Sequence, residues 1–285
     1  MSSNPSTPLV DAVAVQQVDP VVAPVAPVAF PERRAPGGVA LGIDVGGTAI
    51  KAAPVDLATG QLCASRLTAP TPLPATPLAV AEAVRDLRLR FVGFEDAAVG
   101  VTVPAVVRRG IVRTAANIDE SWIGTDGDAL FADVLGAPVT LLNDADAAGL
   151  AEVARGAAQG VAGVVFVVTL GTGIGSALFV DGHLVPNTEL GHLTIDGFDC
   201  CPWASAAALT RDKLSWAQWV SRLQEYLSYA ESLLWPDLIV IGGGISHDAD
   251  RFLPLLQLEA PVVRARMGND SGIIGAAYEA HAARR

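Results

Sequence analysis

Apolar residues along this chain come in short continuous runs that stop at glycine, separated by stretches where apolar positions return every three or four residues. The first pattern predicts buried strands and the second amphipathic helices. Gly38-Val-Ala-Leu-Gly-Ile-Asp44 is a run of the first kind, turning at Gly46-Gly47 and resuming from Thr48 to Val55 as a hairpin bent around two glycines. Ala58-Thr59-Gly60 leads into a third strand expected near Gln61 to Ala69, and a proline-rich loop then precedes a helix from about Leu78 to Phe91.

Ala97 to Pro104 again reads as a strand, as does Val139-Thr-Leu-Leu-Asn-Asp144, which stops abruptly at two polar residues before an alanine-rich helix to about Ala158. Val164 to Leu170 is a β-branched run ended by Gly171-Thr172-Gly173, and Ile174 to Val180 resumes a strand, repeating the architecture of the first hairpin. Two such units predict two related lobes. Trp216, Trp219, Val220, Leu223, Leu227, Ala230 and Leu234 share helical spacing, so a helix is expected from Ser215 to Trp235 with Ser215 near its N-cap. Asp237 to Ile241 is a strand entering Gly242-Gly243-Gly244, and a helix from Ser271 to about Ala283 closes the chain. The alternation of strands and helices predicts a mixed α/β fold. Residues 1–36 repeat Val, Ala and Pro with neither period and read as a disordered tail outside the fold.

Composition narrows the chemistry. With 285 residues the chain can build a two-lobed protein with a cleft, and 51% hydrophobic residues supply its core. A formal net charge of −11 argues against a nucleic-acid binder or an anionic-membrane binder, and any polyanionic ligand must find a local basic patch. Three cysteines, two of them the adjacent Cys200 and Cys201, cannot form a disulfide framework and fit a reducing compartment. No apolar run reaches the length of a membrane span, and the start of the chain has no secretory pattern, so the cytoplasm is expected.

Three glycine turns at strand ends offer exposed backbone amides to phosphate oxygens: Asp44-Val-Gly46-Gly47-Thr48, Thr169-Leu-Gly171-Thr172-Gly173-Ile-Gly175 and Gly242-Gly243-Gly244. Each alone also fits an ordinary turn or a packing constraint. Asp44 is placed to hold Mg²⁺, often through water. Asp144 stands where an α/β protein exposes catalytic groups and suits a general base for a hydroxyl nucleophile; the competing reading is the N-cap of the following helix. Glu189-Leu-Gly-His192 combines an acceptor with an imidazole, a set suited to vicinal sugar hydroxyls. Asn117 and Asp119 either complete that pocket or form Asx turns.

Jointly, Ile43-Asp-Val-Gly-Gly-Thr48, Arg113-Thr-Ala-Ala-Asn-Ile-Asp119, Ser121-Trp-Ile-Gly124, Leu142-Asn-Asp-Ala-Asp146, Thr169 to Ser176, Glu189-Leu-Gly-His192, Trp235 to Gly244 and Gly272-Ile-Ile-Gly-Ala-Ala277 resemble the family of repressors, open-reading-frame proteins and sugar kinases known as ROK. The resemblance runs from about Gly38 to Ala280 and is strongest to the family's polyphosphate glucokinase branch. It implies a hexokinase/actin-like fold of two ribonuclease-H-like lobes with a central cleft. The expected lobes are residues 37–143, completed by a C-terminal helix within 269–285, and residues 144–268. It further implies phosphoryl transfer from polyphosphate, with ATP as a further donor, to the 6-hydroxyl of glucose, with Mg²⁺ as cofactor and a homodimer as the assembly. Asp144 is then the base. Asn117, Asn143, Glu189 and His192 hold the sugar. Asp44, Gly46, Gly47, Thr48, Lys51, Gly171, Thr172, Gly173, Gly243 and Gly244 serve the phosphoryl donor. A family repressor would need an N-terminal helix-turn-helix segment of roughly 60 residues, which the first 36 do not supply.

Three departures from the family pattern matter. The multi-cysteine cluster of its zinc-binding members is reduced to Cys200 and Cys201, so no structural zinc is expected. Ala105 follows Pro104 where members usually carry glycine, which leaves the hexose range open. Asp199-Cys-Cys-Pro-Trp-Ala-Ser205 lacks the lysine-bearing stretch of the polyphosphate enzymes, and Arg211 and Lys213 are the nearest positive charges.

Overall fold

The computed structural model describes residues 28–29 and 38–284. It contains two five-stranded sheets of identical topology. In the first, the spatial order is Leu67–Pro70, Ala49–Asp56, Val39–Val45, Ala98–Val103 and Val139–Asn143, the first two junctions antiparallel and the last two parallel. In the second, His183–Val185, Ile174–Val180, Val164–Leu170, Leu238–Gly242 and Val262–Arg264 follow the same order and the same directions. A hairpin, a third antiparallel strand and two parallel additions thus occur twice, and the repeated strand, glycine turn, strand pattern is the sequence trace of that duplication.

The strands are apolar on both sides because helices cover both faces. Leu41, Ile43, Val99 and Val101 of the first sheet face α1 (Pro77–Arg88) and α2 (Gly127–Leu135), which supply Val80, Val84, Leu87 and Phe131. The opposite face, with Ala40, Ala53 and Ala98, receives Ile273 and Ala277 of the last helix, Ser271–Ala282. Gly42 and Gly100 sit on that face directly under the last helix, and a β-carbon at either would overlap the carbonyl of Ile273 or Ala276. Side-chain-free strand positions therefore let the helix lie unusually close to the sheet.

The second sheet is covered on one face by α3 (Asp144–Arg155), beside Val165, Val167, Ala177 and Phe179. Two short helices, α4 (Cys200–Ala204) and α5 (Ala206–Arg211), precede the long α6 (Trp216–Leu234), whose Trp219, Leu223 and Leu227 meet Phe166, Val168 and Leu170 on the other face. α6 begins with a capping box: Ser215 Oγ accepts from Gln218 N–H, and Gln218 Oε1 accepts from Ser215 N–H at 2.8 Å. α7 (Ser271–Ala282) packs against α3, and the two helices lie between the sheets.

Several boundaries differ from the sequence reading. The strand expected over 61–69 is only a single bridge at Leu62 followed by Leu67–Pro70, because the chain bends at Cys63 and Ala64. The helix α2, a small hairpin of Val107–Arg108 with Ile111–Val112, and α4 with α5 were not anticipated. Val28–Ala29 pairs in parallel with Phe91–Val92, so this part of the expected tail runs beside the fold. The rest of that segment lies outside the described residues.

Candidate active site

Val139–Asn143 is an interior-facing parallel edge of the first sheet, and its last residue starts α3. Asn143 is the N-cap: its Oδ1 accepts from the Ala145 and Asp146 N–H groups at 2.8 and 3.0 Å. The capping role considered for Asp144 therefore belongs to its neighbour. Asp144, the first helical residue, accepts from the Ala145 N–H at 2.9 Å. Burial pushes its carboxyl up to about 7, with the charges of Asp44 and then Glu189 adding to the rise and the Ala145 N–H opposing it. Its basicity thus lies close to that of the medium at neutral pH, where a general base works best.

Asp44 lies next to the end of the strand Val39–Val45. Its Oδ1 accepts from Thr102 Oγ1 at 2.9 Å, and its Oδ2 lies 3.3 Å from Lys51 Nζ on the neighbouring strand. The N-terminus of α7 approaches from behind, where a β-carbon at Gly272 would stand 2.9 Å from Asp44 Cγ. The Gly46–Gly47 turn is pinned by Thr71, whose Oγ1 donates to the Gly46 carbonyl at 2.6 Å, while Thr48 stays exposed. Gly171 and Thr172 are exposed at the equivalent turn of the second sheet. That turn is braced by α4 and α5: Cys201 Sγ accepts from Ile174 N–H at 3.3 Å, and Ala207 N–H donates to the Gly171 carbonyl at 3.0 Å. Gly243 is left-handed at φ 81° and packs against the backbone of Leu170, a combination only glycine can meet. A small crevice lies beside it, lined by Glu152, Thr169, Gly242, Gly243, Gly268 and Ser271. Gly244, the residue after Gly243, is exposed.

Glu189 is the N-cap, and His192 the last residue, of a single turn of 3₁₀ helix. Glu189 is left-handed, φ 46°, and its Oε1 is 3.4 Å from Asn143 Nδ2. The same amide donates to the Ala105 carbonyl at 3.1 Å, so Asn143 is buried and fully engaged, bracing Glu189 against the first lobe. His192 Nδ1 lies 3.0 Å from Asp199 Oδ2. Asn117, φ 60° and exposed, packs against Gly47, which puts it beside the first glycine turn. Asp119 instead caps the 3₁₀ turn of Glu120–Trp122, accepting from Ser121 N–H at 2.9 Å. Asp144 thus feels the charges of both Asp44 and Glu189, and Asn143, its neighbour in the chain, contacts Glu189.

Sequence reasoning missed four members. Thr102, fully buried, was hidden in an apolar strand and is legible only by its register opposite Asp44. Asp146, 2% exposed, has burial pushing it up to about 7, and its Oδ1 is buried without a partner. Asn187 and Asp199 bond to residues that no local pattern connects to them. Of the two cations proposed to serve a polyanion, Arg211 is paired with Asp212 by two hydrogen bonds of 2.7 and 3.0 Å, and Asp212 is shared with Arg222; Lys213 is exposed. Among the described residues, no group of three or more His, Cys, Asp or Glu is arranged to hold a metal ion, and no helix is long and apolar enough to cross a membrane.

Comparison with known proteins places this geometry. The chain is 48% identical over 237 residues to polyphosphate glucokinase from Mycobacterium tuberculosis, covering 83% of this chain and 89% of the relative. The crystal structure of an inorganic polyphosphate/ATP-glucomannokinase from Arthrobacter sp. strain KM superposes with a TM-score of 0.81 at 51% identity, covering 86% of this chain and 99% of that one. A ROK family glucokinase from Streptomyces griseus, solved with glucose and AMPPNP, superposes with a TM-score of 0.71 at 26% identity, over 86% of this chain and all of the other. The fold is accordingly hexokinase-like. The ROK family model matches residues 40–209, from the first sheet to the helices that brace the second glycine turn, and this chain belongs to the ROK family.

Proposed function

We propose that this chain transfers a phosphoryl group from polyphosphate, and also from ATP, to the 6-hydroxyl of glucose. The observation that carries the reading is Asp144, a carboxylate at the end of a parallel strand whose proton affinity is raised to about 7 by burial and by Asp44 and Glu189. An alcohol is a weak nucleophile until an acceptor within hydrogen-bond reach takes its proton, and Asp144 is such an acceptor. Glu189 and His192 hold sugar hydroxyls, Asn143 keeps Glu189 in place, and Asn117 closes the side next to the first glycine turn. The exposed amides at Gly46–Thr48, Gly171–Gly173 and Gly243–Gly244 receive phosphate oxygens, and Lys51 adds a positive charge beside Asp44.

Asp44 and Glu189 lie close enough to Asp144 to raise its proton affinity, and a divalent ion would enter such a site on the oxygens of the phosphoryl donor rather than in a cage of protein ligands. Mg²⁺ arriving with the donor would neutralise phosphate charge, and Asp44 would hold it through water. The likeness to relatives named for polyphosphate supports that donor. The pairing of Arg211 with Asp212 favours a second reading, an ATP-dependent hexokinase on the same site, because it removes one of the cations near the second lobe's turn. Glucose phosphorylation measured side by side with polyphosphate, ATP and GTP tests both.

A further inference from the structure

Asn187 lies in the connection between the strand His183–Val185 and Glu189, and its backbone is left-handed, φ 57°. Asparagine enters that region more readily than most residues with a β-carbon, because its short amide can satisfy nearby peptide groups. Here it satisfies a peptide of the other lobe. Asn187 Oδ1 accepts from the Val107 N–H at 2.9 Å, and Asn187 Nδ2 donates to the Val107 carbonyl at 2.8 Å. One side chain therefore pairs with both polar groups of a single residue, as a neighbouring strand would. The Asn187 N–H in turn donates at 2.8 Å to Oδ2 of the buried Asp146 on α3.

These bonds converge on the wall of the sugar pocket. Val107 follows Ala105 by two positions, and the Ala105 carbonyl is held by Asn143, the residue that also contacts Glu189. Glu189 follows Asn187 by two positions and has no side-chain cap of its own. Two left-handed residues in three would leave this loop free to relax elsewhere unless something over-determined it. The Asn187 side chain and N–H supply three such restraints from two different elements.

We propose that Asn187 is a positioning residue for the sugar: it fastens the Glu189 loop of the second lobe to the 105–107 wall of the first and so holds the Glu189 carboxylate ready for hydroxyl groups. This rests on the reading of Glu189 as a sugar ligand given above. Aspartate in its place lacks the donor for the Val107 carbonyl. Serine is too short to pair with both groups. A loop fixed beforehand loses less freedom when sugar arrives, so the restraint acts on glucose affinity and leaves donor binding alone.

The test uses the full chain with glucose, sodium polyphosphate and ATP. Asn187→Gly retains the left-handed backbone and removes the amide; Asn187→Asp retains the shape and the acceptor and removes the donor. In the glycine variant the Val107 amide should exchange its hydrogen faster, and the KM for glucose should rise about tenfold or more. The donor KM and the kcat at saturating glucose should stay within about threefold of the parent. The aspartate variant should show the same glucose-selective rise, and it decides alone if the glycine variant does not fold. Unchanged glucose KM, an equal rise for the donor, or loss of folding in both variants overturns the positioning role. Glu189→Gln is measured in parallel: if it raises the glucose KM while the Asn187 variants do not, only the Asn187 inference fails. If Glu189→Gln leaves the glucose KM unchanged, the sugar-site reading falls and the inference with it.

Discussion

His192 and Asp199 face each other with Nδ1 and Oδ2 3.0 Å apart, while the other oxygen of Asp199 accepts from the Cys201 N–H at 2.9 Å and caps α4. A carboxylate at Nδ1 favours the tautomer protonated there and leaves Nε2 as an acceptor for a sugar hydroxyl. Asp199→Asn keeps the cap and can present an amide donor to the ring instead. The expected outcome is a higher KM for glucose, an unchanged KM for the donor, and ring ¹⁵N resonances of His192 shifted toward the other tautomer. Unmoved resonances and an unmoved KM together would detach Asp199 from the site.

Asp144→Asn leaves the helix cap intact, because Asn143 provides it. Turnover should fall by about 10²-fold or more, with glucose binding retained by calorimetric titration. Near-normal turnover would remove Asp144 from its role as base.

The raised proton affinity of Asp144 fixes the direction of the pH dependence. Only the ionised carboxylate accepts a proton, so kcat should climb as pH rises and level off above about 7. A profile flat from pH 5 to 9, measured where chemistry limits the rate, would contradict it.

Asp146 makes a separate statement about stability. Its folded value of about 7 lies above the ordinary carboxylate range, so the folded protein binds this proton more tightly than the unfolded chain does. Its destabilising effect is absent below pH 4, accumulates as pH rises from about 4 to 7, and is constant above that. Asp146→Asn keeps an acceptor for the Asn187 N–H and removes the buried charge. It should gain stability at pH 8, by up to about 4 kcal/mol, and little at pH 4. Urea denaturation at the two pH values measures the difference.

The parts of this molecule that could be read from the sequence are those built by local pattern. Val164–Leu170 and Ile174–Val180 have the limits their apolar runs predict, since a β-branched run ended by glycines leaves little choice of register. Ser215 begins the long helix because it and Gln218 cap each other within four residues. The α2 helix escaped notice because Gly127 and Asp128 at its start read as loop, while its cap, Asp126, acts through the Ala129 N–H. The site divides similarly. Asp44, Asp144, Glu189 and the glycine turns announce themselves by residue type at strand ends, whereas Asn187 is one polar residue in a Pro-Asn-Thr loop whose partner, Val107, lies far back in the chain. Pairings of that kind are fixed by the meeting of two lobes and leave no trace in spacing. Arg211 illustrates the reverse, for its neutralising partner Asp212 is the next residue.

That neutralisation sharpens the expectation for the donor track. Arg211→Ala should change polyphosphate use little, while Lys213→Ala should weaken it selectively and leave ATP use intact. Polyphosphate kinetics should also be more salt-sensitive than ATP kinetics, because a sparse basic patch on a chain of net charge −11 is readily screened. Equal salt dependence for both donors would rule out this patch.

The most direct test is formation of glucose 6-phosphate by the purified full chain with Mg²⁺, given polyphosphate or ATP at low ionic strength, beside the Asp144→Asn variant. Product should form with polyphosphate and with ATP, and both activities should collapse together in the variant. A folded wild-type protein that makes no glucose 6-phosphate from either donor would contradict the account.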